Sequence, residues 1–113
     1  MIDITIPVRV ISEANTREHW GLKASRAKKQ KNEAILAVKV CTEYRSLKLP
    51  LAISFVRYGK RKLDSDNLQG AFKAVRDGVA EALRINDGSD LITWDYRQET
   101  GKDYAIRIIV KQL

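Results

Sequence analysis

In LAISFVRYGKRKLDSDNLQGAFKAVRDGVAEALRINDGSDLITWDYRQE, residues 51–99, the spacing of the apolar residues changes twice. Leu51 to Tyr58 follows Pro50 and is rich in β-branched and aromatic residues, so it reads as a strand. Gly59 to Leu63 is a basic loop carrying Lys60, Arg61 and Lys62. From about Asp66 to Arg84 the period lengthens: Leu68, Phe72, Val75, Val79 and Leu83 fall on one helical face. Asn86 to Asp90 is a turn by composition, and from Leu91 to about Glu99 the chain reads as a strand again.

Outward from this β-α-β core, Met1 to Ser12 is a β-branched run and hence a strand, with Pro7 marking a break or an edge. Asn15 followed by Glu18 has the pattern of a helix cap with its reciprocal partner. A long helix is expected from Thr16 to about Tyr44, its apolar stripe being Trp20, Ala24, Ala27, Ala34, Val38 and Cys41, interrupted by Lys31. In the last segment Tyr104, Ile106, Ile108 and Val110 alternate with Ala105, Arg107, Ile109 and Lys111. This is a strand with one apolar face, expected to form a hairpin with its predecessor around Gly101. The order β-α-β-α-β-β predicts an α/β (α+β) fold: one domain over residues 1–113, a small mixed sheet with two helices packed against it.

At 113 residues and 44% hydrophobic composition, the chain can bury a modest core, which excludes a disordered protein. No apolar run reaches the roughly 18 residues that a membrane span needs, and no signal peptide is recognisable. The single cysteine excludes an internal disulfide framework; Cys41 reads as a small core residue, and a reducing, cytoplasmic setting is expected. The net charge of +7 and a pI near 9.7 favour polyanionic partners.

Asp64 and Asp66 stand at alternate positions, so extended backbone would aim both carboxylates to one side. Asp66 also lies at the expected helix start, where capping would explain it alone. Capping explains neither Asp64 nor the second acidic turn, Asp87-Gly88-Ser89-Asp90. Carboxylates gathered in a basic protein repel one another unless they share a cation, and magnesium suits such a set. Asp-Gly turns are equally ordinary loop chemistry, so residue chemistry leaves both readings open. Asp66, Gly70, Lys73 and Asp77 form one stripe of the second helix. Helix geometry alone favours a solvated Lys73–Asp77 pair there over a phosphate contact by Lys73.

The elements Asp64-Ser65-Asp66-Asn67-Leu68-Gln69, Ile85-Asn86-Asp87 and the strand from Leu91 resemble the RusA family of Holliday junction resolvases, common in phages and prophages. The order of elements and the chain length fit that family over nearly the whole sequence. Asn15 through Lys31, with Arg17 and His19-Trp20, is similar to the N-terminal region of its phage members. The resemblance implies a magnesium-dependent homodimeric endodeoxyribonuclease, with manganese as a substitute metal, acting in recombination and repair. It would place paired nicks in four-way DNA junctions in the cytoplasm of a bacterial host. Asp64, Asp66 and Asp87 inherit the metal-binding and catalytic role. The family's functional lysine, four residues after the second Asp, is Gly70 here, and Lys73 one turn on is the candidate replacement. Of the paired acids at the later turn only Asp87 remains, with Asp90 a possible helper.

Arg17, Lys23, Arg26, Lys28, Lys29 and Lys31 crowd the first helix, and Arg57, Lys60, Arg61 and Lys62 precede Asp64. Arg17, Lys60, Arg61, Lys62, Asn67 and Arg76 are the expected DNA contacts. No base-reading helix-turn-helix is present, so junction shape is the expected target. Trp94 is expected in the core, and His19 at a cap or the surface. Two alternatives accompany this reading: a catalytically idle DNA-binding protein of the same fold, and a nuclease for other branched DNA.

Overall fold

The computed structural model describes every residue except Asn15, so the expected cap at Asn15 lies outside the described residues. The elements are β1 (Ile2–Ile6), α1 (Trp20–Lys39), β2 (Leu51–Gly59), α2 (Ser65–Ala71), α3 (Lys73–Leu83), β3 (Ile92–Thr100) and β4 (Ala105–Gln112). They form a mixed α+β fold. One four-stranded sheet in the order β1-β4-β2-β3 is covered by helices. β4 runs antiparallel to both β1 and β2, and β2 runs parallel to β3.

The period-2 alternation puts one face of each strand into a single core. Ile2, Ile106, Ile108, Val110, Leu51, Ile53, Phe55 and Ile92 meet Ala34 and Val38 of α1, Leu68 of α2, and Val75 and Val79 of α3. The opposite sheet face carries polar pairs, Asp3 with Arg107 (2.6 Å) and Asp95 with Arg97 (2.7 Å). Among the described residues no helix is long and apolar enough to cross a membrane.

Several expectations are corrected. The β3–β4 hairpin is not formed, because β2 lies between the two strands. β2 buries Leu51, Ile53 and Phe55 on one face and Val56 on the other, and it takes one of the two interior places, between β4 and β3. The chain passes over its end, where Gly101 N donates to Gly59 O at 2.9 Å. Crossing two strand spacings is about 10 Å, well within reach of residues 101–104.

The second helix is two helices. At Phe72 (φ −93°, ψ 2°) the backbone leaves helical geometry, and the fully buried ring stacks on Phe55. The expected apolar face survives this break. α3 then ends on Arg84 in the left-handed region (φ 56°), at a cost of about 1 kcal/mol for a residue other than glycine, and Ile85 N closes back onto Ala80 O.

The first helix starts at Trp20 rather than Thr16 and ends at Lys39; a 3-10 turn, Thr42–Arg45, follows instead of helix to Tyr44. Its N-cap is His19, whose Nδ1 accepts from Gly21 N at 3.0 Å. Trp20 is 75% exposed and Ala24 is exposed too, so the apolar stripe holds only in the C-terminal half, at Ala34 and Val38 with half-buried Cys41. The reason is length: α1 spans about 30 Å and α3 about 16 Å, so the start of α1 outruns its partner. Lys31, the interruption in the stripe, sits where the helices touch. A Cβ on Gly78 would lie 2.5 Å from Lys31 O, while the Lys31 ammonium reaches out to Glu81 (3.8 Å).

Candidate functional site

The basic loop leaves the end of β2, and α2 begins at once. Asp64 is the N-cap of α2: its Oδ1 accepts from Asn67 N (2.9 Å) and its Oδ2 from Asn67 Nδ2 (3.0 Å). The cap is therefore Asp64, not Asp66, and the amide of Asn67 is already engaged. Asp66 is exposed in the first turn, with no hydrogen bond or ion pair among the described residues. The loop is anchored from the neighbouring strand by the Gln98 side chain, which accepts from Leu63 N (2.9 Å) and donates to Leu63 O (2.6 Å).

The second acidic element follows α3. Asn86 Oδ1 accepts from Gly88 N (3.0 Å), making the tight turn expected of this composition. Asp87 is held by its carbonyl, which accepts from Arg76 Nη2 (3.0 Å) and from Trp94 Nε1 (3.1 Å). Its carboxylate lies 3.6 Å from Arg76 Nε. Arg76 also donates to Tyr96 Oη (3.0 Å) and lies 4.1 Å over the Trp94 ring. Trp94 is half-buried and stacks on Phe55, the core position expected for it.

Asp64 and Asp87 are thus both tied to side chains of β3. Trp94 touches Asp87, Tyr96 follows, and Gln98 holds the residue before Asp64. Among the described residues no group of three or more His, Cys, Asp or Glu side chains stands close enough to hold a metal. The three carboxylates as they stand do not fit magnesium: Asp64 caps a helix, Asp87 faces a guanidinium, and Asp66 alone is without a partner among the described residues. Lys73 pairs with Asp77 (3.4 Å) and is largely exposed, the arrangement that helix geometry alone favours. Asp90 is exposed.

The expected DNA-contacting cations separate into two kinds. On α1 much of the charge is consumed internally. Arg26 bridges Glu13 and Glu18 at 2.8 and 2.6 Å, holding the Glu18 carboxyl below its ordinary range. Lys23 Nζ donates to the carbonyls of Glu13 and Thr16. Arg17 is exposed just before the helix. Around the β2 end the charge is left over: among the described residues Lys60, Arg61 and Lys62 pair with no carboxylate. They stand beside Arg57, which is only 5% exposed. Arg9 joins this cluster, its guanidinium 4.1 Å over the Tyr104 ring, with Lys60 Nζ at 5.9 Å from the same ring.

Sequence reasoning missed Arg9, Ser12 and Tyr104 here. The available signal was parity: Arg57 shares the inward face of β2 with Leu51, Ile53 and Phe55, so it had to be buried wherever the sheet was covered. Compared with known protein families and with curated proteins, the chain matches none.

Proposed function

We propose that this protein is an endodeoxyribonuclease for branched DNA, of the kind the RusA resemblance implies, resolving four-way junctions by paired nicks. One observation carries the reading. A concentration of positive charge with no carboxylate partner among the described residues, Lys60, Arg61 and Lys62 beside Arg57 and Arg9, adjoins Asp64 and Asp66 along the chain through Leu63. Polyanion-binding charge next to exposed carboxylates is what positioning a phosphodiester beside hydrolytic groups requires. Asp64, Asp66 and Asp87 are the proposed catalytic carboxylates, with Lys73 as an assisting cation.

Magnesium or manganese is part of the proposal, and binding it through all three acids requires Asp87 to leave Arg76. The DNA contacts are Arg17, Lys60, Arg61 and Lys62, with Asn67 and Arg76 acting after rearrangement of their present partners. A homodimer suits the two-fold symmetry of a junction. A bacterial cytoplasm, with phage or prophage origin, is the proposed setting.

A second reading is a DNA-binding protein that does not cut. The Arg76 partner of Asp87, the Lys73–Asp77 pair and Gly70 favour it. Cruciform, forked and linear duplex DNA, incubated side by side with magnesium or manganese, distinguish the two. Nicking of branched substrates that disappears in Asp66→Asn, with binding retained, is the expected result. Binding without nicks under either metal selects the second reading. Nicking that persists in Asp66→Asn removes that residue from the site.

A further inference from the structure

Arg57 is the most unusual charge in the molecule. Its guanidinium is buried at the inner face of β2, and among the described residues no carboxylate pairs with it. Only backbone oxygens receive its hydrogen bonds: Val10 O from Nε (3.3 Å) and Arg61 O from Nη1 (2.7 Å). Nη2 has no acceptor among the described residues. Burying a cation without a counter-charge is unfavourable, and burial pushes the Arg57 pKa down.

Three further features surround it. Arg57 lines a cavity of about 450 Å³ together with Arg9, Ser12, Lys60, Arg61 and Tyr104. The hydroxyl of Ser12, on that wall, is buried without a hydrogen-bond partner among the described residues. Gly59 leaves the guanidinium room to lie flat, since a Cβ there would stand 2.8–2.9 Å from Nη2, Cζ and Nη1. A buried donor left unsatisfied is unfavourable, and the Ser12 hydroxyl is one; the cavity walls carry four cationic side chains and, among the described residues, no acid.

We propose that this cavity is a binding site for one phosphate group, with Arg57 as its floor and Ser12 as a neutral donor. Arg9, Lys60 and Arg61 close over the anion, and Tyr104 holds Arg9 and Lys60 in place through its ring. Phosphate oxygens supply both the missing counter-charge and the missing acceptors. Leu63 forms part of the wall and is followed in the chain by Asp64, one of the proposed catalytic acids, so the phosphate assigned to the pocket is an internal phosphodiester of DNA. That choice of source, though not the pocket, rests on the nuclease reading above; a free phosphate or a terminal phosphomonoester offers the same oxygens.

The test uses the intact protein in EDTA, so metal and cutting play no part. Inorganic phosphate is titrated at constant ionic strength against chloride, with thermal stability and phosphorus-31 line shifts as readouts. Saturable, phosphate-specific stabilisation is expected in the wild type and in Asp66→Asn. Gly59→Ala, which pushes the guanidinium off its bed, and Ser12→Ala should each weaken phosphate binding about tenfold or more. Arg57→Met should abolish it, and because that variant risks misfolding, Ser12→Ala and Gly59→Ala keep the outcome decisive. Phosphate that stabilises no more than chloride, or Gly59→Ala binding like the wild type, overturns the site.

Anisotropy with a synthetic junction, and with 5′-phosphorylated and unphosphorylated single strands, then separates the sources. Parallel loss of junction affinity in the same variants identifies the phosphodiester. Loss confined to the 5′-phosphorylated strand or to inorganic phosphate overturns the phosphodiester assignment and leaves the pocket standing. Failure of Asp66→Asn to abolish cutting concerns the nuclease reading alone.

Discussion

Replacing Arg76 by methionine probes the joint between the core and the acidic turn. The change removes hydrogen bonds to Tyr96 Oη and Asp87 O, both 3.0 Å, an ion pair of 3.6 Å and a guanidinium 4.1 Å above Trp94. Two charge-assisted hydrogen bonds contribute about 1.5 kcal/mol each at the low end of their range. The ion pair adds about 0.5 kcal/mol or less, because the Asp87 side chain is 47% exposed. The cation–π contact adds about 0.5 kcal/mol. Methionine keeps most of the aliphatic packing, and the Arg76 side chain is itself 28% exposed, so the expected net loss is about 2–3 kcal/mol. For a chain of this length that lowers Tm by about 10 °C. Calorimetry measures the melting shift, and amide exchange at Gly88, Ser89 and Leu91 reports the loosened turn. Arg76→Lys, which keeps a charge near Asp87 but not the fork, should lose about half as much. A Tm within about 2 °C of wild type, with turn protection unchanged, would refute the assignment of Arg76 as the residue that holds Asp87.

Gly78→Ala places a methyl 2.5 Å from Lys31 O and 3.0 Å from Ala34 Cβ, and neither backbone can yield without separating α1 from α3. Overpacking of about 2–3 kcal/mol outweighs the roughly 1 kcal/mol helix-propensity gain, so denaturant melts should show a net loss of about 1–2 kcal/mol; a stabilised variant would refute the close crossing. Exchanging Lys60, Arg61 and Lys62 for glutamine should flatten the dependence of log affinity for duplex DNA on log salt by about 2–3, as three phosphate contacts disappear. An unchanged slope measured by anisotropy means the loop does not touch the backbone. Arg107 holds the Asp3 carboxyl below its usual range, so this pair stabilises the native state above the unfolded pKa of about 4 and is lost as pH falls through the lower native value. Asp3→Asn should therefore melt below the wild type at neutral pH and match it in strong acid; a gap that widens with acidification contradicts the pairing.

What could be read from residues alone was whatever depends on local period. The alternation of Ile106, Ile108 and Val110, the face Leu68/Phe72/Val75/Val79 and the Asn86 turn all appear as expected, because side-chain direction follows backbone geometry within a few residues. Spacing also marked the acidic pair and the basic loop. Tertiary structure decided the rest, each time through competition for burial between distant segments. β2 took an interior place between β4 and β3, burying Val56 on its second face, and that split the expected hairpin. Trp20 is exposed because α1 extends past the element it packs on. Local spacing marks Asp64 and Asp87, but their partners come from the fold: Asp64 caps α2 and Arg76 occupies Asp87. Arg57 looks like one more cation in a basic run until the sheet closes over it, when desolvation makes its missing counter-charge a feature of the three-dimensional fold.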